Sequence, residues 1–251
     1  MFVVGDAGTI LRRTGSAWTT MASGTTANLR GVWVLSSSDV WACGIGGVIL
    51  HYNGTAWSSV SSGYTTDCDA TWAAGANDVW FTGSSVALHY NGSGFIRYSF
   101  AGTMLAVSGT GTNDVWITGE NTNAHHWDGT AWTTFTPGAG TSTYMTVLAV
   151  SANDVWVADF NSPKQTMHYT GTSTWTAKAT TPSATIFNSM SDVAANDIWG
   201  VGASGKIAHW NGTAWSTSVS PFGSVSLFSV TTPPGHVFTV GDGSTIGHMP
   251  L

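Results

Sequence analysis

Charged side chains are scarce in this chain, and basic ones are the scarcer kind. Only 8% of the 251 residues are charged, and seven Lys and Arg stand against thirteen Asp and Glu, giving a formal net charge of −6. Proteins that bind nucleic acid gain much of their affinity from basic side chains that neutralise phosphates. Because the sequence has no basic cluster, we expect no nucleic-acid partner.

Long apolar runs are also missing. No stretch reaches the roughly 18 consecutive apolar residues that a membrane-spanning helix needs. The N-terminal residues MFVVGDAGTI lack the basic and apolar regions of a secretory leader. Because charged residues are few, Ser, Thr, Asn and Gly must cover the surface. Such a composition is common in exported bacterial proteins and lectins. We expect no membrane insertion and an exported or cell-surface protein whose leader is absent from this sequence; a cytoplasmic location is the alternative.

Familiar catalytic motifs are absent too. The sequence contains no nucleophile elbow, no zinc-protease helix motif, no P-loop and no dinucleotide-binding glycine motif. Only two carboxylates, Asp69 and Asp192, fall on predicted inner strands, where a paired-acid hydrolase site would be the enzymatic alternative. We expect a binding protein with no catalytic residues and no cofactor.

Cysteine is limited to two residues, Cys43 and Cys68. Both occupy positions that are mostly small or apolar in the other repeats of the chain, so we predict that they are core residues with free, buried thiols. Because they fall on strands of neighbouring repeats, a disulfide is the alternative.

What the sequence does contain is a repeat. Seven aromatic anchors recur at intervals of 36 to 43 residues: Phe2, Trp41, Trp80, Trp116, Trp156, Trp199 and Phe238. A period near 40 built from short strands is typical of a β-propeller, in which each repeat forms one four-stranded blade. The sequence therefore predicts an all-β propeller with seven blades (six as the alternative) and incomplete terminal blades. We expect one domain, 1–251, with repeats starting near 1, 29, 68, 104, 147, 190 and 227.

Residues 29–60 show the pattern of one repeat. An alternating segment predicts strand a, Val40–Gly44 predicts strand b, Val48–Tyr52 predicts strand c, and Asn53-Gly54 is a strong hairpin signal before strand d. The Asp that precedes strand b is typical of a structural turn. Counting along the chain gives six a, seven b, seven c and six d strands. The exposed edges of incomplete blades could pair two copies, so a homo-oligomer is a candidate assembly.

Six of the eight histidines share one position in strand c: His51, His89, His126, His168, His209 and His248. Strands lie about 4.8 Å apart, so histidines on the third strands of different blades should be on the order of 10 Å or more apart. That spacing is too wide for ligands that must each lie about 2.1 Å from one zinc ion. We expect no metal site and predict that each imidazole makes a buried hydrogen bond to a loop carbonyl or hydroxyl. The recurring Trp residues are predicted to be core.

The order of these motifs resembles the BNR or Asp-box class of β-propellers, which includes the photosystem II assembly and stability factor. The Asp-box pattern is approached by Trp127-Asp128-Gly129-Thr130-Ala131-Trp132. In that class the box is a structural turn, so the resemblance implies the fold rather than an activity. The Trp-, Gly- and Thr-rich repeat is also similar to lectin propellers of the tachylectin and tectonin kind.

Departures from the repeat mark candidate binding residues. The connection after the fifth strand b is expanded and carries Asp159, Phe160, Asn161 and Lys164. Further aromatic residues in or near the connections complete the predicted ligand-binding set: Trp33, Tyr64, Trp72 and Tyr144. Aromatic faces next to hydroxyl and amide groups suit a sugar. We therefore predict a carbohydrate-binding propeller that uses its loop-rich face. The alternatives are a scaffold that binds a protein ligand, and a natural fragment or engineered repeat array that assembles by sharing strands.

Overall fold

The computed structural model describes residues 1–138, 142–161, 165–178 and 187–251. These residues form 26 β-strands in seven antiparallel sheets, with three short 3₁₀ turns and no α-helix in the described ranges. The fold is an all-β, seven-bladed β-propeller, as the repeat predicts. The chain divides into two compact units, Met1–Val107 and Ser108–Leu251, which we describe separately.

The first unit contains three sheets. The first sheet is formed by β1 (Phe2–Val4), β2 (Ile10–Thr14) and β3 (Ala17–Met21). The second is formed by β4 (Leu29–Ser36), β5 (Asp39–Gly44), β6 (Ile49–Tyr52) and β7 (Trp57–Ser59). The third is formed by β8 (Cys68–Gly75), β9 (Asp78–Gly83), β10 (Val86–Tyr90) and β11 (Phe95–Ser99).

The other four sheets belong to the second unit, apart from the first residues of β12. The fourth sheet is formed by β12 (Met104–Gly111), β13 (Asp114–Gly119), β14 (Ala124–Trp127) and β15 (Trp132–Phe135). The fifth contains β16 (Tyr144–Ser151), β17 (Asp154–Asp159), β18 (Thr166–Tyr169) and β19 (Trp175–Lys178). The sixth contains β20 (Phe187–Ala194), β21 (Asp197–Gly202), β22 (Lys206–Trp210) and β23 (Trp215–Val219). The seventh contains β24 (Leu227–Thr231), β25 (His236–Gly241) and β26 (Thr245–Pro250).

The strand types occur as predicted. In the described residues the five middle sheets each have strands a to d, the first sheet has b, c and d, and the seventh has a, b and c. This gives six a, seven b, seven c and six d strands. Seven separate strand-b hairpins decide between the two predicted blade numbers in favour of seven.

Two inner strands begin three residues before the predicted positions 147 and 190. The second sheet pairs Leu29 with Gly44, and the equivalent pairs are Tyr144 with Asp159 and Phe187 with Gly202. The predicted positions were wrong by three residues because Val147 and Met190 resemble Leu29, Met104 and Leu227 more closely than Tyr144 and Phe187 do. Tyr144, predicted in or near a connection, therefore begins a strand, as Phe187 does in the next sheet.

The aromatic anchor of strand b packs against the next sheet along the chain. The Trp41 ring lies 5.2 Å from the Tyr90 ring, and the Trp156 ring lies 5.0 Å from the Trp210 ring. Trp80, Trp116 and Trp156 are almost completely buried. These contacts place the recurring indoles in the core between sheets, where burial of large aromatic surfaces contributes most.

In five sheets the Asp that begins strand b, the Trp two residues later and the His of strand c form one unit, which we call the triad. In the fifth sheet His168 Nε2 lies 2.7 Å from Asp154 Oδ1, Trp156 Nε1 donates to the same oxygen at 2.9 Å, and the two rings stack at 3.9 Å. The other triads are Asp39–Trp41–His51, Asp78–Trp80–His89, Asp114–Trp116–His126 and Asp197–Trp199–His209. Trp41 stacks on its histidine, but its indole nitrogen makes no such bond.

The predicted partner of these histidines, a loop carbonyl or hydroxyl, was therefore wrong. The partner is the turn carboxylate. The pairing of Trp156 with His168 puts the two rings side by side, and Asp154 lies on the same face of β17 because alternate residues of a strand share a face. One Asp oxygen thus serves both rings, so the triad fixes the orientation of the indole that packs on the next sheet.

The two cysteines form a disulfide, so the prediction of free thiols was wrong. Cys43 in β5 and Cys68 in β8 are joined with a Cα–Cα distance of 5.7 Å, and both residues are buried. Cys68 is the first residue of its inner strand, and this position packs beside the end of strand b in the preceding sheet. The bond therefore links the second and third sheets covalently.

Removing this bond should destabilise the protein. It closes a loop of 25 residues, for which the loss of unfolded-state entropy is worth about 3.5 kcal/mol. We expect the double substitution Cys43→Ala, Cys68→Ala to lower the free energy of urea unfolding by roughly that amount. A reducing agent should destabilise the wild type and leave the double variant unchanged. Two titratable thiols in the unfolded, unreduced wild type would contradict the assignment.

His125 should make stability depend on pH. It is buried in β14, where other repeats have Leu50 or Leu88, and its Nδ1 lies 2.9 Å from Thr134 Oγ1. Burial lowers the pKa of His125 from 6.5 to about 4. The unfolded chain therefore takes up this proton below about pH 6.5 before the folded protein does, and stability falls as the pH drops towards 4.

We expect His125→Leu to flatten this dependence. Between pH 7 and pH 4.5 the wild type should lose up to about 3 kcal/mol more than the variant. Urea unfolding at a series of pH values measures this difference. The contributions of the other titrating groups cancel, because both proteins contain them. Parallel pH profiles for the two proteins would show that His125 does not titrate as described.

Candidate binding surface at the variable ends of the sheets

Each sheet has one uniform end and one variable end. The uniform end carries the a–b turns with the triad Asp and the c–d hairpins. Asn53 Oδ1 accepts bonds from the backbone of Thr55 and Ala56, and Asn91 and Asn211 do the same in their own hairpins. We call the other end, formed by the b–c hairpins and the d–a connections, the variable end because its residues differ between sheets.

Asp128, in the segment that resembles an Asp box, belongs to the uniform end. Its carboxylate accepts bonds from the Thr130 hydroxyl and from the backbone of Thr130 and Ala131, and these bonds lower the pKa of Asp128 to about 2. The side chain therefore closes a turn.

At the variable end five strands b finish in a glycine, and the glycines that end β5, β9 and β25 touch the connection that precedes strand a of the same sheet. A Cβ at Gly83 would lie 1.8 Å from the Asp67 carbonyl oxygen, and one at Gly44 would lie 2.1 Å from that of Asn28. The next residue then donates to this carbonyl, as Ile45 does at 2.9 Å. The close approach clamps the two connections of the variable end together.

The fifth sheet has Asp159 at this glycine position, and a cluster forms around it. The fifth-sheet cluster consists of Ser142, Tyr144, Asp159, Phe160 and Asn161. Asp159 is buried, and its two oxygens accept bonds from Ser142 Oγ at 2.9 Å and from the Asn161 backbone at 2.8 Å. The Phe160 backbone N–H donates to the Thr143 carbonyl at 2.8 Å. The expanded connection is therefore anchored on both sides of Phe160.

Tyr144 lies inside this cluster rather than on its surface. Its side chain is fully buried. Burial, followed by the negative charge of Asp159, raises the pKa of Tyr144 to about 12. The phenol therefore stays neutral and acts as a core group that supports the Asp159 connection.

Phe160 is the candidate aromatic side chain that reaches solvent in the fifth-sheet cluster. It is 45% exposed. Asn161 beside it is half-buried, and Lys164 lies outside the described residues. The cluster thus brings together Tyr144, Asp159, Phe160 and Asn161 from the predicted set, with only Phe160 presented outwards.

The predicted residues of the first unit form a different group. Trp33 and Trp72 lie within strands β4 and β8, with ring centroids 6.1 Å apart, and Trp72 is buried. Tyr64 is half-buried, and the Arg97 guanidinium carbon lies 5.6 Å from the centroid of its ring. These three aromatic residues mainly pack between sheets, so they do not form an open platform.

Sequence reasoning missed a charged group at the variable end of the first unit. Arg30 contacts the Asp69 carboxylate, and its Nη1 lies 3.5 Å from Asp67 Oδ2. Asp67 Oδ1 also accepts a bond from the Gly46 backbone at 2.9 Å. Because Arg30 and Asp69 are both the second residue of their inner strands, the repeat alignment itself contained the signal for this ion pair.

The second unit has an apolar residue at the same repeat position. Phe228, the second residue of β24, is 53% exposed. Asp192, the other carboxylate of the hydrolase alternative, is half-buried in β20, and burial raises its pKa. Asp69, by contrast, is neutralised by Arg30. The two acids therefore have separate local environments, one in each unit.

No group of three or more His, Cys, Asp and Glu side chains in the described ranges is arranged to hold a metal ion. Within the same ranges no helix has the length and apolar character needed to cross a membrane.

Comparison with known proteins rests on structure alone. No family model matches the sequence, and no curated protein matches it either. A structure of YCF48 bound to a D1 peptide is 13% identical, with a TM-score of 0.79 over 100% of this chain and 87% of that one. The WD40 β-propeller domain of Doa1 is 11% identical, with a TM-score of 0.78 over 98% and 88%.

Virginiamycin B lyase from Staphylococcus aureus, solved with quinupristin, is 13% identical, with a TM-score of 0.73 over 89% of this chain and 84% of that one. One fold thus supports a peptide complex, a WD40 domain and a lyase. At these identities the likeness shows the fold alone, and that fold is the β-propeller.

Proposed function

We propose that this chain is a non-catalytic scaffold that binds a protein segment at the variable ends of its sheets. The observation that carries the proposal is the contrast between the two ends. The uniform end repeats the same turns, whereas the variable end presents a different exposed group in different sheets. Phe160 and the Arg30–Asp67–Asp69 group are the clearest examples. Binding residues are usually found on such loops of a rigid framework.

Phe160 has the properties of an interface anchor. Its aromatic ring is exposed, while the backbone on either side is held by Asp159 and by the bond to Thr143. Aromatic residues dominate the binding energy of protein interfaces. An anchor that is already ordered loses little conformational entropy on binding. A partner segment with an apolar side chain fits this arrangement.

The comparisons support a protein partner by analogy. YCF48, a propeller of similar fold, is seen with a D1 peptide. An aromatic platform for sugars receives less support, because Trp72 and Tyr144 are buried and Trp33 and Tyr64 pack between sheets. We therefore favour a protein ligand over a glycan. Membership of the Asp-box class and association of copies through the three-stranded sheets stay predictions.

The disulfide also supports an exported or cell-surface location. Structural disulfides persist in oxidising compartments and are rare in the cytosol of most organisms. Cys43 and Cys68 are both buried and paired within one chain. We propose an extracytoplasmic location for this reason. Finding the two thiols reduced in protein isolated from its natural source would contradict this.

Substituting Phe160 tests the proposed surface. A random library of displayed peptides is selected for binding to the full chain, and the selected peptides should bind saturably. Phe160→Ala should weaken their binding at least tenfold, since loss of an interface anchor costs about 2 kcal/mol or more. The thermal midpoint should stay within a few degrees of the wild type, because the exposed ring makes few core contacts.

Ile96→Ala is the matched control. Ile96 is 42% exposed, close to the exposure of Phe160, but it lies in the outer strand β11. We expect its peptide affinity to match the wild type within about twofold. An equal loss in both variants would refute the surface. If no peptide is selected, while a glycan array gives saturable binding that Phe160→Ala abolishes, the ligand is a carbohydrate and the protein-scaffold proposal fails.

A further inference from the structure

The seventh sheet departs from the triad at two of its three positions. His236 replaces the Asp that begins strand b, and Phe238 replaces the Trp, while His248 keeps the histidine of strand c. The result is a pair of imidazoles where five other sheets have a carboxylate and an imidazole. This pair lies at the uniform end and is independent of the function proposed above.

The geometry of the pair is well defined. Nε2 of His248 lies 2.9 Å from Nδ1 of His236. The His248 ring stacks on Phe238 with centroids 4.5 Å apart and an interplanar angle of 13°. His248 is exposed and His236 is half-buried. The two ring nitrogens therefore face each other at a position that solvent can reach, and the His248 ring is stacked on Phe238.

This spacing matches the bite of two ligands on one metal ion. With metal–nitrogen bonds of about 2.05 Å, nitrogens separated by 2.9 Å subtend an angle of about 90° at the metal. That angle suits neighbouring ligands in the tetragonal geometry of Cu(II) or Ni(II), for which imidazole is a favoured donor. A tetrahedral Zn(II) site would need a separation of about 3.3 Å.

In the triads the atom at the place of His236 Nδ1 is a carboxylate oxygen, and in those of the fifth and sixth sheets this oxygen already accepts a hydrogen bond from the indole. Asp154 Oδ1 accepts a bond from the Trp156 indole as well as facing His168, and Asp197 Oδ1 is placed in the same way between Trp199 and His209. In the seventh sheet the phenyl side chain of Phe238 has no N–H group that could donate to His236 Nδ1. Only the single proton shared by His236 and His248 lies between the two nitrogens.

We propose that His236 and His248 form a surface site for a divalent transition-metal ion, with Cu(II) favoured. The metal takes the lone pairs of His236 Nδ1 and His248 Nε2. Whichever of these two nitrogens carries the shared proton passes it through solvent to the other nitrogen of its own ring, so two neutral imidazoles bind without net proton release. Water completes the coordination.

The test is a Cu(II) titration of the full chain, followed by calorimetry and electron paramagnetic resonance. We expect one equivalent to bind with a tetragonal spectrum that shows two nitrogen ligands. His236→Asp restores the residue of the five triads and should therefore keep the fold, shown by an unchanged thermal midpoint. It should weaken Cu(II) binding at least tenfold, and His248→Ala should do the same.

His209→Ala is the background control, because it removes a strand-c histidine that faces a carboxylate. Its Cu(II) affinity should match that of the wild type. The proposal is overturned if His236→Asp binds Cu(II) as tightly as the wild type, or if the wild-type spectrum shows fewer than two nitrogen ligands. Weaker binding of Zn(II) than of Cu(II) supports the assigned geometry, and the reverse order contradicts it.

Discussion

The structure depends on a buried indole wedged between neighbouring sheets. A single sheet of this chain has two apolar faces and cannot cover either by itself. The Trp of strand b fills the space against the next sheet, as Trp156 does against Trp210 and Trp215. His168 stacks on the Trp156 ring. The Asp154 carboxylate accepts a hydrogen bond from the indole nitrogen and also contacts His168. Packing and hydrogen bonding therefore act on the same side chain, and a fully satisfied polar group of this kind specifies one orientation.

The uniform and variable ends of the sheets use their polar residues differently. The triads and the Asn-Gly hairpins use the polar residues of the uniform end for structure, so a binding partner finds few unengaged groups there. At the variable end the glycine clamp keeps the connections short and close to the sheet. In the fifth sheet Asp159 takes the place of that glycine, while the backbone bond from Phe160 to Thr143 is kept. A hydrogen-bonded network around Asp159 lies beside the exposed Phe160 ring. The exposed ring therefore lies next to a position where this sheet departs from the repeat, and such departures are the informative positions.

The repeat was sufficient to predict the fold, because its signals are local. Turn residues, strand alternation and the spacing of the aromatic anchors gave the strand types and the blade number. The failures concern contacts between side chains far apart in sequence. The Cys43–Cys68 bond depends on where the end of β5 meets the start of β8, which no local pattern reports. The histidine partner was missed because the role of Asp in its turn looked complete. Tyr144 was misplaced because the same repeat position is not aromatic in the second, third, fourth and seventh sheets.

The central claim is that indole packing couples neighbouring sheets, and a double-mutant cycle measures that coupling. Trp156 and Trp210 belong to adjacent sheets of one unit, so the cycle combines Trp156→Leu, Trp210→Leu and the double variant in urea unfolding. We expect the double variant to lose less stability than the sum of the single ones, by about 0.5–1.5 kcal/mol. Strict additivity of the two losses would contradict this, because it would mean that the two rings stabilise the protein separately.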